Sequence, residues 1–341
     1  MPLYLPHFNL QNHNTLASPV TAQFFVSVNN ESELLDAVKF AREKKLPLLV
    51  LGGGSNLVLR DDFPGLALHI HLLGKEVVAE DDDFIYVKAA AGENWHEFVN
   101  YCLTYQYWGL ENLSLIPGSV GAAPIQNIGA YGVELENVFS ELTAIDVQSG
   151  LSVTFTKDSC QFNYRDSVFK GVLKDKYIIT AVVFKLMKNQ RLVLDYPALQ
   201  NALIGYAEQD VNANLVSEII CDIRRSKLPE PKHIPNVGSF FKNPMVSEAS
   251  LRNIQKTHPS VVFYPAGEGR VKLAAGWLID CAGWKGVSDQ GVAVHSQQAL
   301  VLTNPNHLKG QAVLDLALKI QQSVFSLFAV HLEIEPRIYP E

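Results

Sequence analysis

Three short stretches of the 341-residue chain combine residue types that could do chemistry. Gly52-Gly53-Gly54-Ser55-Asn56 offers successive backbone N–H groups with no Cβ in the way. It reads either as a nest for phosphate oxygens or as a tight turn in which the glycines relieve strain. The second stretch, Ile116 to Gly132, places Gly118, Gly121, Gly129 and Gly132 among Pro117, Pro124, Ala122, Ala123 and Ala130. An ordinary surface loop is more polar, and this composition suits a large flat ligand whose pyrophosphate lies against bare backbone. Two such segments about sixty residues apart imply one extended dinucleotide crossing between them. The third stretch joins Lys227-Leu228-Pro229 to Gly238-Ser239-Phe240-Phe241-Lys242-Asn243-Pro244. Gly238 leaves the Ser239 hydroxyl accessible, Lys227 and Lys242 bring charge suited to a phosphate, and Asn243 brings an amide. Ser239 lacks a neighbouring His and a G-x-S-x-G elbow, so a hydroxyl proton donor fits better than a hydrolytic nucleophile. A capped turn with solvated lysines is the alternative.

The elements that position these groups follow from periodicity. Asn30 and Glu33 form a capping pattern ahead of Leu34, Ala37, Val38 and Ala41, predicting a helix over 31–45. Pro47 to Leu51 reads as a buried strand that runs into the first glycines, and Leu57 to Leu59 resumes extended structure. Strand, glycine loop, strand is not the dinucleotide-binding order of strand, G-x-G-x-x-G and helix, so the nicotinamide-binding fingerprint is absent. A strand at 84–90 and a helix over 93–105 precede the segment 105–131, which lacks a regular pattern. A loop of that length inside a compact domain is usually functional. Strands are expected at 142–147, 152–156 and 177–185, and a helix at 215–226. After the Pro229, Pro231 and Pro235 break come helices at 247–256, 274–281 and 309–328, strands near 292–294 and 299–303, and a last strand at 331–334.

Composition narrows the classes. The formal charge of −7, with scattered Lys and Arg, excludes the clustered basic surface of a nucleic-acid binder. With 48% hydrophobic and 18% charged residues the chain has ample material for a core. No apolar run approaches the roughly 18 to 20 residues that span a bilayer. The start of the chain lacks the basic and apolar segments of a signal peptide, so a cytoplasmic protein is expected. Cys102, Cys160, Cys221 and Cys281 are widely spread, as for buried thiols in a reducing compartment. The ten histidines show no metal-ligand spacing, and no metal is assigned.

Six motifs, in order, resemble those of the UDP-N-acetylenolpyruvoylglucosamine reductases, the FAD enzymes of peptidoglycan synthesis. They are Gly52 to Asn56, Pro117 to Gly132, Tyr164 to Lys170, Gly238 to Pro244, Gly276 to Asp280 and Gln297 to Val301, and they cover nearly the whole chain. The segment around Tyr196 resembles the subtype with a tyrosine-bearing loop. The resemblance implies an α+β protein with an FAD-binding region of the vanillyl-alcohol-oxidase type over 15–190. That region comprises two subdomains, about 1–72 and 73–225, the first joined by a C-terminal strand within 329–341, and a substrate-binding domain spans 226–328. It implies non-covalent FAD, held by Gly52, Gly53, Gly54, Ser55 and Asn56 and by Pro117, Gly118, Ser119, Gly121, Ala122, Ile125, Gln126, Asn127, Gly129 and Ala130. NADPH is implied as hydride donor and a UDP-sugar nucleotide as substrate, in a monomer. Ser239, Arg165 and Glu335 correspond to the catalytic residues, and Tyr131, Tyr196, Lys227, Asn243 and Gln298 to substrate-binding positions. Leu332-Glu333-Ile334-Glu335-Pro336-Arg337 departs from the usual Leu-Glu-Pro-Glu-Val-Arg, and spacing to Arg337 selects Glu335 over Glu333.

Overall fold

The computed structural model describes residues 2–267 and 269–340. They divide into two compact units, one built from residues 2–8, 22–53 and 64–226 and the other from 9–21, 54–63 and 227–340. The chain therefore passes from one unit to the other inside the first glycine loop, between Gly53 and Gly54.

The first unit contains two sheets. One has four strands in the order Leu5–Asn9, Thr21–Val28, Phe63–Ile70 and Leu48–Leu51, the last two parallel, with Leu48 opposite Leu66. Helix Glu31–Glu43 buries Leu34, Ala37, Val38 and Ala41 in one cluster with Val26, Val28, Leu66 and Leu68 of that sheet. The Asn30 side chain accepts from Glu33 N–H at 2.9 Å, and Glu33 reaches back to Asn29 N–H at 2.8 Å, so both ends of the cap are satisfied. The other sheet is antiparallel, with five strands in the order Ser152–Thr156, Phe139–Asp146, Tyr177–Met187, Phe84–Ala90 and Lys75–Glu80. Helix Trp95–Thr104 seals it through Trp95 and Phe98, whose rings lie 5.8 and 4.8 Å from Phe184. The segment read as patternless holds two 3-10 turns, Glu111–Leu113 and Val120–Gln126. Its Gly and Ala residues allow that tight coiling without any hydrophobic periodicity to announce it.

In the second unit Asn236–Ser239, Val301–Thr303, Val292–Val294 and Ser288–Asp289 form an antiparallel sheet, and Met245–Ser247, Arg270–Leu273 and Phe263–Pro265 a smaller one. Helix Gly310–Phe328 contributes Val313, Leu316, Ala317, Ile320, Val324 and Phe328 to a core shared with Phe240, Phe241, Leu278 and Ile279. The last strand is Arg337–Tyr339, parallel to Leu57–Leu59, in place of the expected 331–334. Pro336 explains the shift. It has no N–H to give, so the segment before it pairs only through the single bridge of Ile334 to Phe241, and regular pairing starts after it. Three thiols are buried as expected, and Cys281 is exposed instead, at the end of its short helix. The alternation of antiparallel sheets with packed helices is an α+β architecture, as the motifs implied.

Candidate active site

Within the first unit the two glycine segments touch. A Cβ on Gly52 would stand 2.2 Å from Ser119 Oγ, and one on Gly53 would stand 3.0 Å from Gly118 Cα. Three backbone bonds fix this stretch in place: Trp95 N–H to the Gly118 carbonyl at 3.0 Å, Val120 N–H to Glu93 at 2.9 Å and Gly121 N–H to Ala91 at 2.9 Å. Gly121 has no room for a side chain, because a Cβ would lie 2.5 Å from Ala91 Cβ. The first loop is thus faced by the Ser119 hydroxyl and the bare backbone of Gly118, in the segment that also carries Pro117, Ala122, Ile125 and Gln126. Asn127 ends it at φ 44°. Its fully buried side chain is spent inside the protein: Nδ2 donates to Glu134, Glu136 and the Asn163 carbonyl at 3.0, 3.2 and 3.2 Å, and Oδ1 accepts from Glu136 N–H at 3.0 Å. Only its backbone is left for a ligand.

Tyr131 and Arg165 have φ of 49° and 53°, in the left-handed region that costs a bulky residue about 1 to 3 kcal/mol. Named bonds over-determine both positions. Asn112 Nδ2, itself buried, donates to the carbonyls of Tyr131 and Val193, each at 2.8 Å. Asn163 and Asp166 exchange N–H···O bonds of 3.1 and 3.0 Å around Tyr164 and Arg165, which makes a two-residue turn. Ser167 Oγ ties this turn to the Ile125 carbonyl at 2.7 Å, and Arg165 Nη2 donates to the Gly129 carbonyl at 2.7 Å. Arg165 therefore lies against the short hairpin of Gly129–Ala130 with Val133–Glu134, whose turn holds Tyr131, two residues after the bonded Gly129. The Tyr131 and Tyr196 rings meet edge to face, 5.1 Å apart. Helix Ala213–Lys227 adds Arg224, which sequence reasoning missed. Its Nε donates to the Leu115 carbonyl at 3.2 Å, and its charge acts on the nearby Tyr131 phenol. A signal was present: Arg224 falls four residues after Ile220 and seven after Ser217, on the buried stripe of an amphipathic helix.

In the second unit Gly238, at φ 72°, sits in a bulge between the Asn236–Thr303 and Ser239–Val301 pairs. No atom lies within 4 Å of where its Cβ would be, so the backbone angle and not space calls for glycine. Buried Asn236 supports the bulge, with Oδ1 accepting from Gly238 N–H at 2.8 Å. The strand continues into pairing with the C-terminal segment: Glu335 N–H donates to the Phe240 carbonyl at 2.9 Å and Lys242 N–H to the Glu333 carbonyl at 2.9 Å. Two residues on, Arg337 N–H donates to the Asn56 carbonyl at 3.1 Å. Ser239, Glu335 and Asn56 are thereby knit into one backbone network, with Gly54 and Ser55 just before Asn56. The Lys242 ammonium is ion-paired with Glu333. Asn243 Oδ1 accepts from Ala275 N–H at 2.9 Å, which leaves its N–H groups as the donors it can offer. Gln298 Oε1 lies 3.2 Å from where a Cβ on Gly276 would be, so both amides stand at the start of helix Ala275–Cys281. Lys227 is exposed at the end of its helix.

The His295 ring accepts from Gln298 N–H through Nδ1 at 3.3 Å, and His96 accepts from Leu115 N–H at 3.0 Å. Burial holds both imidazoles, and that of His13, below the ordinary value of 6.5, with Arg225 and Arg224 adding to the effect at His96. As pH falls through about 6.5 the unfolded chain takes up protons that the folded chain refuses, so stability is lost progressively below that pH. Burial pushes the Glu111 carboxyl up, and that group opposes the trend by holding a proton the unfolded chain has lost. Thermal melts should show Tm falling between pH 7.5 and 5.5, and His295→Gln should flatten part of that slope. An equal slope in the variant would show that His295 takes up its proton as readily in the folded chain as in the unfolded one.

A family model described as FAD binding domain matches residues 22–156, which agrees with an FAD region that is not a Rossmann fold. A second, described as UDP-N-acetylenolpyruvoylglucosamine reductase, C-terminal domain, matches residues 230–339. The chain is 47% identical over 335 residues to a UDP-N-acetylenolpyruvoylglucosamine reductase of Paraburkholderia phytofirmans, covering 98% of this chain and 97% of that one. It is 46% identical over 333 residues to the protein of that name from Pseudomonas aeruginosa, covering 98% of each. The crystal structure of UDP-N-acetylenolpyruvylglucosamine reductase (MurB) from Thermus caldophilus shares its fold, with a TM-score of 0.69 at 20% identity over 100% of this chain and 99% of that one. Identity of this extent runs through both units and is not confined to the glycine-rich segments, and the chain therefore belongs to the UDP-N-acetylenolpyruvoylglucosamine reductase family.

Proposed function

We infer that the chain reduces the enolpyruvyl ether of UDP-N-acetyl-3-O-(1-carboxyvinyl)-glucosamine to the lactyl ether UDP-N-acetylmuramate, a step of peptidoglycan precursor synthesis. What supports this most is identity of 45% or more, over nearly the whole chain, to several reductases of that name. FAD, when bound, supplies the hydride, which it takes in turn from NADPH. The residues present fit that cofactor. A Cβ would fill the space between Gly52–Gly53 and Gly118–Ser119, so bare backbone amides are on offer there, as anionic oxygens require. Gly54, Ser55 and Asn56 continue the first segment, and Gly121 to Ala130 the second.

Hydride addition to the terminal alkene carbon leaves an enolate conjugated with the carboxylate. Charge that develops in this way is best met by donors already in place. Arg165, held in its strained turn, offers a permanent cation with a planar fork and takes the carboxylate. Ser239 gives its proton to the adjacent carbon; a hydroxyl is a weak acid, and it serves here because the enolate it quenches is strongly basic. Glu335, one residue from the Phe240 register, replenishes that proton or polarises the same oxygens. Tyr131, Tyr196, Lys227, Asn243 and Gln298 bind the sugar nucleotide. A cytoplasmic location fits this reading, in which a nucleotide-linked precursor and NADPH are the reactants. One chain carries every residue named, so a monomer suffices, with 226–328 as the substrate-binding domain.

Two measurements test this reading. Gly121→Ala, which forces a methyl into Ala91, should give protein with well under one flavin per chain by absorbance, whereas full flavin content would remove the second segment from the cofactor site. In stopped flow, Ser239→Ala should bleach with NADPH near the wild-type rate, while reoxidation by the enolpyruvyl sugar nucleotide slows by on the order of 10² to 10⁴, the usual worth of a positioned acid. Equal loss of both half-reactions would mean that Ser239 holds the loop and donates no proton.

A further inference from the structure

We propose that Asn112 is a positioning residue for the sugar nucleotide, holding Tyr131 and Tyr196 at the spacing in which both meet it. An amide nitrogen carries two N–H donors, and Asn112 spends both, on the Tyr131 and Val193 carbonyls, each at 2.8 Å. Two stretches remote in sequence are thereby brought against one atom. The first is the strained turn at Tyr131, and the second runs three residues on to Tyr196. Residues 190–195 form neither strand nor helix, so tertiary contacts set their course. The same two stretches also touch through side chains. A Cβ on Gly132 would lie 3.4 Å from Val193 Cγ1, and the Tyr131 and Tyr196 rings stand edge to face at 5.1 Å.

Asn112 serves as a clasp because it is itself fixed. It is buried in the middle of the 3-10 turn Glu111–Leu113. On one side Gly109 N–H donates to the Glu111 carboxyl at 2.8 Å, and on the other Trp95 Nε1 donates to the Leu113 carbonyl at 2.9 Å. Trp95 and Leu113 belong to the buried core of the five-stranded sheet. Asn112 thus passes the rigidity of that core to two tyrosines that the core does not fully bury. This rests on the functional reading above, in which Tyr131 and Tyr196 bind the sugar nucleotide. Donors already in place bind a ligand without first having to be ordered, so loosening the clasp weakens binding while leaving both hydroxyls present. Neither phenol takes part in the hydride or proton step, and the effect therefore falls on affinity.

A mutant cycle in the FAD-loaded enzyme tests this. Asn112→Leu keeps the side chain's size and removes both donors. It should raise KM for the enolpyruvyl sugar nucleotide, and the Kd of UDP-N-acetylmuramate by calorimetry, by roughly tenfold, the worth of one hydrogen bond to a charged group. The value of kcat should change far less, with one flavin per chain retained. In a Tyr131→Phe, Tyr196→Phe background the same substitution should add little, because no hydroxyl is left to place. A tenfold effect that persists in that background would overturn the proposal, since Asn112 would then act elsewhere. A lowered Tm with unchanged KM and Kd would overturn it too, by reducing Asn112 to a stabilising residue. Should Asn112→Leu fail to fold, Asn112→Asp, which keeps the shape and at most one donor, enters the same cycle with the same outcomes. Failure of the functional reading looks different: wild-type enzyme would neither bind UDP-N-acetylmuramate nor be reoxidised by the enolpyruvyl sugar nucleotide, whereas failure of the proposal alone leaves both intact.

Discussion

Two backbone hydrogen bonds set two residues apart, from Glu335 N–H to the Phe240 carbonyl and from Arg337 N–H to the Asn56 carbonyl, tie the chemistry of the second unit together. Neither is strong by itself, at about 1 kcal/mol net. Their value lies in what they connect: the strand of Ser239, the carboxylate of Glu335 and the end of the glycine loop. A second route runs in parallel. Asn236 N–H donates to the Thr15 carbonyl at 2.9 Å and Thr15 N–H to the Gly54 carbonyl at 3.0 Å, so the start of the Ser239 strand is bound to the same loop. Ser239 and Gly54 to Asn56 cannot shift independently without breaking one of the two.

The first unit solves a different problem. Its functional backbone is strained, and the strain at Tyr131 and Arg165 has to be offset by side chains that bind carbonyls and by a turn closed on both sides. The two problems share a cause. Anions of a cofactor and a sugar nucleotide are met most closely by bare amides and rigid donors, and both require backbone conformations that ordinary strands and helices do not supply. Burial of the five-stranded sheet beneath Trp95 and Phe98, which pack on its Phe184, provides the stable platform from which such conformations are held.

Much of this is written in local sequence. Caps, amphipathic stripes and glycine density mark the helices over 31–43 and 310–328 and both phosphate-friendly segments. The contact between those segments is not local. It depends on Ala91 and Glu93 accepting from Gly121 and Val120, bonds that no periodicity encodes. The place of Arg165 is likewise tertiary, since its turn is closed by Asn163 and Asp166 and aimed by Gly129. As a residue type Lys242 suits a phosphate, and only the fold reveals that its ammonium also pairs with Glu333. Arg224 stood on an apolar stripe, where a charge calls for a partner, and that partner lay 109 positions earlier, at the Leu115 carbonyl.

Ser239 is the proposed proton source, and a crystal structure of the FAD-loaded enzyme with the enolpyruvyl sugar nucleotide bound measures that most directly. The Ser239 Oγ should lie within about 3.5 Å of the alkene carbon that bears the carboxylate, near-attack distance for the transfer, with the Arg165 guanidinium on the carboxylate itself. A Glu335 oxygen or a water as the nearest acid to that carbon, with the Ser239 hydroxyl turned away, would contradict it.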